Sequence, residues 1–493
     1  FFTFLFGDLH AHLLAIPFTL LSLSMALNIA LRFKYGIGIA YRIFLLLLIA
    51  LVVGSLRAIN TWDFPTYVLI TLTSILIGEY AHSRRVTITL FLRVLAQGFF
   101  FYWATTVLFA PFIDNYQSFA DGVFFSKWQT PVYAYIGIHS LFIFVVITFL
   151  IYEAPNFLSV FFRTISLSNG ITKRFYELSS GSWKSLNILV FICLLIALLI
   201  TLTLSGYTAV AFILLIAVPT LMLARTWLSF ESELPYGLFS LTLLVMALAI
   251  GIGVEIVTIN GDLNRMNTVF KFYLQAWILF GITATYLLCR MDFGRYILRN
   301  KLTNIWGKSV LYGWSTTLIL LLLFSSIYTI LGTQSRLSDR FEILPLTLDG
   351  MLYMENAQYT FDRGNGSEEL VWDYQAIQWL RGENIKGSPV ILEGQGELYR
   401  TLHSRVSIYT GLPTVLGWDN HQSQQRGYGR KIQERISDIR EIYSTQNTDE
   451  AMELLNKYHV KYIYVGELER HYYPGNGLDK FDVMVGMYHD QVL

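Results

Sequence analysis

The sequence predicts a polytopic α-helical membrane protein of about ten transmembrane helices, followed by a C-terminal extracytoplasmic α/β domain. Three observations carry this. Long apolar runs fill residues 1–331 and then stop. The overall 54% hydrophobic and 14% charged composition averages two unlike halves. Lys and Arg also fall unevenly among the connections between the runs.

A bilayer core takes roughly 20 apolar residues per helix. The first spans lie near 13–31 and 39–56. Span 64–79 opens on Pro65, ordinary helix-start chemistry. Span 86–110 is long and carries Arg93, which can snorkel to its near end. Span 132–152 follows a longer loop. The next two, 186–204 and 208–224, are joined by the short hairpin Ser205-Gly206-Tyr207. The remaining spans are 237–254, 270–289 and 309–331.

One set of connections holds 15 Lys and Arg residues and the opposite set holds four: Arg57, Lys127, Arg265 and Lys271. The positive-inside rule makes the first set cytoplasmic. Ten spans return the chain to its starting side. The expected location is therefore the plasma membrane, multi-pass, with the C-terminal domain extracytoplasmic. The domains are expected at 1–331 (transmembrane), 332–348 (linker) and 349–493 (soluble).

In the soluble part, Asp373 to Leu380 has helical spacing and Pro389-Val390-Ile391-Leu392 is a short strand signal. Residues 430–443 and 449–458 read as amphipathic helices, and Val460 to Val465 as a strand. Helices between strands indicate a small α/β domain. This part holds 16 Lys and Arg against 23 Asp and Glu, a net of −7. Nucleic acid is excluded as a partner, because a phosphate backbone requires a basic surface. Cys193 and Cys289 lie in apolar runs and build neither a disulfide framework nor a zinc site. The sequence begins Phe1-Phe2-Thr3 and reads as a piece of a longer chain. With no basic n-region and no cleavage site, no signal peptide is expected in it.

The polar residues of the membrane half gather at one set of span ends, although ionisable groups at a bilayer boundary are costly unless paired or hydrated. Asp8, His10 and His12 alternate in a segment that, if extended, turns them to one side. They suit a divalent cation (Mg or Mn) or a phosphate; the plainer alternative is an interfacial cap with Asp8 on the helix starting near Ala11. Arg57, Asn60, Trp62 and Asp63 come next. Arg57 requires an anionic partner, such as Asp8, Asp63 or a lipid phosphate, whereas Asp63 can simply cap the next helix. Glu255, Asp262, Asn264, Arg265, Asn267, Lys271 and Tyr273 form the densest polar loop. Arg265 and Lys271 together suit a phosphate or pyrophosphate head group, or an internal salt bridge. Asp114, Tyr116, Asp121, Lys127 and Trp128 read as a surface loop, and His139 and Gln97 as helix-packing groups. In the soluble domain, Glu393, Arg405, Trp418 and His421 sit in a glycine-rich polar stretch. That stretch suits carbohydrate, or a tightly turned loop with Trp418 in the core. Asn365-Gly366-Ser367 fits a glycosylation sequon.

The segments Phe6-Gly7-Asp8-Leu9-His10-Ala11-His12, Asn60-Thr61-Trp62-Asp63-Phe64-Pro65-Thr66-Tyr67, Arg265-Met266-Asn267-Thr268-Val269-Phe270-Lys271 and Thr410-Gly411-Leu412-Pro413 carry a resemblance. In this order they resemble the "YYY" family of polytopic membrane proteins, a domain of unknown function. The family's upstream tyrosine triplet does not occur in this sequence. That family is similar to membrane glycosyltransferases of the GT-C architecture, and the stretch Tyr462 to Arg470 resembles their C-terminal domains. The resemblance implies transfer of a sugar from a polyprenyl-phosphate donor at the outer face to a sugar, lipid or protein acceptor. It also implies an acidic base in the first outer loop; Asp8 is the available candidate, with Asp63 second. The alternatives are a transporter or flippase of lipid-linked sugars, and a non-catalytic subunit of a glycosylation complex.

Overall fold

The structure is a computed structural model. It describes residues 10–116, 122–167, 182–228, 235–260, 265–291, 305–338, 347–361, 366–382, 385–396, 402–426 and 429–487. Two compact units share the chain, dividing between Thr333 and Gln334 apart from residues 116–119, which group with the second.

The first unit is a helical bundle. Its helices are α1 (Ala11–Lys34), α2 (Ile39–Ile59), α3 (Phe64–Ser83), α4 (Ile88–Val107), α5 (Val132–Leu167), α6 (Ser182–Leu204), α7 (Thr208–Trp227), α8 (Tyr236–Ile256), α9 (Met266–Arg290) and α10 (Ile305–Leu337). Every expected span falls on one of them. Among the described residues nine helices are long and apolar enough to cross a membrane, and α6 contributes a shorter apolar stretch, Ile192–Leu204. The expected linker starts inside a helix, because α10 continues to Leu337.

Small residues let these helices approach closely. A Cβ on Gly78 of α3 would lie 2.7 Å from the Phe33 Cβ and 3.1 Å from the Ala30 carbonyl oxygen of α1. A polar latch fixes the opposite end of α3 from Asp63. Arg42 pairs with the buried Glu79, and Gln97 Nε2 donates to Glu79 Oε1 at 3.0 Å. Gln97 thus packs helices, as its place in a span suggested. Leucines and phenylalanines such as Leu51, Phe91 and Phe99 stay exposed on outer faces, as expected where the surrounding solvent is acyl chain.

Two loops join at one end of the bundle. Strand β1 (Val123–Phe125) pairs antiparallel with β2 (Val257–Ile259), with Phe124 opposite Thr258. The Ser126 N–H then donates to the Ile256 carbonyl at 2.8 Å. Sequence reading treated 114–128 as surface loop; three-residue strands carry too little periodicity to be seen.

The second unit begins with the antiparallel pair β3 (Gln358–Thr360) and β4 (Ser367–Glu369). Strands β5 (Val390–Leu392) and β6 (Val460–Ile463) pair in parallel, with Thr414 bridging to Ile391. Around them lie α11 (Val371–Arg381), α12 (Arg405–Thr410), α13 (Asp419–Arg426), α14 (Gly429–Ser444), α15 (Thr448–Lys457), α16 (Glu467–Tyr472) and α17 (Asp479–Met487). α15 starts where its pattern predicts: the Asn447 side chain accepts from the Asp449 N–H at 3.0 Å, an N-cap. Ile439, Ile442 and Tyr443 of α14 are fully buried.

Candidate functional site

The α2–α3 turn supplies the first cluster. Asn60 adopts an extended conformation that ends α2, and Asp63 occupies the N-cap position of α3 without a capping hydrogen bond from its side chain. The simple capping role is therefore not what its carboxylate does. Asp63 is only 4% exposed. It precedes the span, and burial pushes its carboxyl up to about 7.

Arg57, in the last turn of α2, stacks its guanidinium 3.9 Å from the Phe64 ring centroid and 5.8 Å from Tyr102. Among the described residues its occluded Nε has no hydrogen bond. Among the described residues no carboxylate pairs with Arg57. Asp63, six positions on in the sequence, does not serve as the anionic partner that was expected of it.

Helix α9 brings other motif residues to this turn. Gln275 Nε2 donates to the Trp62 carbonyl at 3.1 Å, and Thr66 Oγ1 donates to Gln275 Oε1 at 2.7 Å. The Lys271 ammonium lies 5.8 Å from the Trp62 ring centroid, and Phe272 meets the same indole at 6.2 Å. His12 packs edge-on against Phe270, centroids 4.8 Å apart, with His10 5.3 Å from His12. Three motifs distant in sequence therefore meet along the first turns of α9.

His10 is the N-cap of α1 and His12 already belongs to its first turn. The extended run expected through residue 12 thus stops at His10. Asp8, Asp262 and Asn264 lie outside the described residues, as do Asp121 and Asn365. Among the described residues no three His, Cys, Asp or Glu side chains converge as a metal site.

The second cluster uses the opposite face of α9. Arg265 is the left-handed N-cap of that helix, φ 69°, and is 6% exposed. Its Nη2 lies 2.8 Å from Glu255 Oε1 and 2.5 Å from Thr130 Oγ1, and Nη1 donates to the Trp128 carbonyl. Glu255 Oε2 also accepts the Thr130 N–H at 2.6 Å, and Tyr273 OH donates to Glu255 Oε1 at 3.3 Å. Arg265 therefore ties the end of α8 to the 126–130 loop, the internal salt bridge that was its alternative reading. A phosphate could reach it only by displacing Glu255. Asn267, two residues on, is half-buried. Deeper, His139 is buried among Tyr135, Tyr273 and Phe280 at 4.9, 5.2 and 5.2 Å; neither of its ring nitrogens has a hydrogen bond among the described residues.

An apolar groove of about 430 Å³ opens between α5, α6 and α7 at the same end, lined by Val132, Leu199, Leu204, Phe212 and Leu215.

In the second unit, Arg405 is 1% exposed. It meets Asp373 at 2.8 Å and Glu469 at 3.2 and 3.0 Å through both terminal nitrogens. Burial works to raise the Glu469 carboxyl, but Arg405 and the amides of Gly394 and Gly466 outweigh it and hold it low. Glu393 is fully buried and accepts the Val406 and Ser407 amides at 2.9 and 3.3 Å, anchoring the start of α12. Arg405 and Glu393, expected as ligand-binding groups, are core groups with their bonding capacity used internally. Asp373 and Glu469 carry no sequence signal of this role, because only tertiary packing encloses them. Trp418 remains half-buried and His421 exposed.

A bundle of long apolar helices with its polar side chains collected at helix ends is a polytopic membrane protein. The chain belongs to the family described as uncharacterized membrane protein (DUF2298), whose pattern matches residues 1–280. No curated protein matches the chain, and no solved structure matches it.

Proposed function

We propose that the protein is a membrane glycosyltransferase of GT-C type, taking a sugar from a polyprenyl-phosphate donor at the extracytoplasmic face of the plasma membrane. The observation that carries this reading is the turn 57–63: a buried, uncapped carboxylate at Asp63 beside an arginine with no carboxylate partner among the described residues. A buried carboxyl and a cation without a carboxylate partner are both costly at a lipid boundary, and a substrate that is itself part anion and part hydroxyl would satisfy both.

In the proposed reaction the acceptor hydroxyl oxygen attacks the anomeric carbon of the donor. The new C–O bond forms on one face as the bond to the phosphate oxygen breaks on the other, with inversion. Asp63 takes the hydroxyl proton; a carboxyl that titrates near neutrality is suited to this. The leaving polyprenyl phosphate carries the negative charge, which Lys271 and Arg57 stabilise. The groove between α5, α6 and α7 supplies apolar wall for the prenyl chain. A divalent cation would fit the same role at His10 and His12 if Asp8 completes the set.

The test is sugar transfer by the purified full chain in lipid vesicles holding a polyprenyl-phosphate sugar. Transfer that collapses in Asp63→Asn and Lys271→Ala supports the reading. Absence of any covalent product, or unchanged transfer in both variants, removes it. The unbonded His139 deep in the bundle favours one second reading, a flippase. Movement of the intact lipid-linked sugar across the vesicle without a covalent product would establish that instead.

A further inference from the structure

Trp418, His403 and His421 form a cluster that the Arg405 network leaves unused. The Trp418 ring lies 5.0 Å from His403, inclined at 31°, and 5.7 Å from His421. Local geometry sets the second pair. The Gln422 N–H donates to the Trp418 carbonyl at 2.9 Å, so Trp418 and His421, three residues apart, leave the same side of the start of α13. The backbone beneath is held by Gln395, whose Nε2 donates to the Leu416 carbonyl at 2.9 Å. His403 is buried, in the turn before α12.

Two groups here lack what burial demands. The indole N–H of Trp418 is occluded with no acceptor among the described residues, and so is the hydroxyl of Ser404, next to His403. Tryptophan N–H groups ordinarily find a partner when buried, and an unmade bond costs about 1–3 kcal/mol. Ser404 also sits at φ 66°, a left-handed backbone that a non-glycine residue adopts at a cost of order 1–3 kcal/mol. Unsatisfied polar groups and backbone strain together mark a site whose partner is a ligand.

We propose that Trp418, flanked by His403 and His421, is the subsite for a neutral sugar ring of the acceptor; this rests on the glycosyltransferase reading. A half-buried indole offers an apolar face to pyranose C–H groups, while its N–H and the exposed His421 imidazole bond hydroxyls. The sugar is neutral because the part of the chain from 332 onward carries a net −7, which repels phosphorylated or carboxylated rings. His421 is exposed and makes no hydrogen bond among the described residues.

The experiment is saturation-transfer NMR on the full chain in nanodiscs, without donor lipid. The probes are the methyl glycosides of mannose, glucose, galactose and N-acetylglucosamine. At least one glycoside is expected to bind. Its Kd should rise about tenfold or more in Trp418→Ala, and about threefold in Trp418→Phe, which keeps a ring but loses the donor. His421→Ala, at an exposed position, carries the test if Trp418→Ala fails to fold. No binding by any of the four, or a Kd unmoved by Trp418→Phe and His421→Ala, overturns the proposal. Binding without sugar transfer would overturn only the glycosyltransferase reading, and transfer indifferent to Trp418 only this one.

Discussion

Arg405 in the second unit and Arg57 in the first are both predicted from sequence as ligand-binding cations, and the structure separates them. Arg405 meets two carboxylates with three nitrogens, and nothing of it faces solvent. Arg57 has the Phe64 and Tyr102 rings near it and no carboxylate partner among the described residues. A compensated buried charge holds a fold together, whereas an uncompensated one at a membrane edge waits for an anion. Arg265 belongs with Arg405, being closed by Glu255 and two loop oxygens. Asp63 belongs with Arg57.

The largest effect that follows is at Arg405. Arg405→Ala leaves Asp373 and Glu469 buried together without a cation, a change expected to cost about 3–5 kcal/mol. Thermal unfolding and protease sensitivity of the second unit read it directly. Replacing the trio together, as Arg405→Met with Asp373→Asn and Glu469→Gln, should recover most of the loss. If Arg405→Ala melts like the parent, the contrast between the two arginines is void.

Arg57 and Asp63 should show the reverse profile. Asp63→Asn is expected to reduce sugar transfer about a hundredfold or more, the scale of a general base, with little change in melting temperature. Arg57→Leu keeps apolar contact with Phe64, so stability should stay within about 1 kcal/mol. Binding of polyprenyl phosphate by the protein in vesicles should weaken about tenfold. Were Arg57→Leu to unfold the bundle while lipid binding held, Arg57 would be architecture like Arg405.

The same contrast shows what the sequence could and could not convey. Spans were legible because bilayer thickness imposes a long apolar run on each helix, so nine of the ten expected spans coincide with helices long and apolar enough to cross, and α6 with a shorter apolar stretch. α14 and α15 were legible from amphipathic period. The motif at 60–67 was legible as a boundary, since Pro65 and the polar run before it break the pattern. What Asp63 does there was not legible: capping and burial look alike until the geometry is known. Gln275, which joins Trp62 and Thr66 to α9, gave no signal, because one amide in a span is read as packing. Glu393 was misread for the opposite reason. A glutamate between a strand and a glycine resembles a ligand group, yet its partners are the amides at the start of α12, thirteen residues away.

The mildest prediction concerns an acid without a cation of its own. Glu368 on β4 is 5% exposed, and its Oε1 has no hydrogen bond among the described residues. Burial, reinforced by the Asp373 carboxylate, pushes its carboxyl up to about 7, with Arg405 opposing. The folded state therefore holds this proton more tightly than the unfolded chain does. The resulting stability is fully present below about 4.5 and is lost as pH rises through about 7. Lys480 acts in another window: burial lowers it to about 8, so its ammonium disfavours the fold below that pH and the penalty fades above it. Between pH 5 and about 7.5 Glu368 acts together with Glu393, whose carboxyl burial also raises, and against His403, whose imidazole burial lowers, so the difference between parent and Glu368→Gln isolates its share. Over that range the second unit should lose melting temperature as pH rises, and Glu368→Gln, which cannot ionise, should flatten the slope. A slope unchanged in Glu368→Gln would mean that Arg405 compensates a third carboxylate as well, and the rule drawn from comparing the two arginines would have to be loosened.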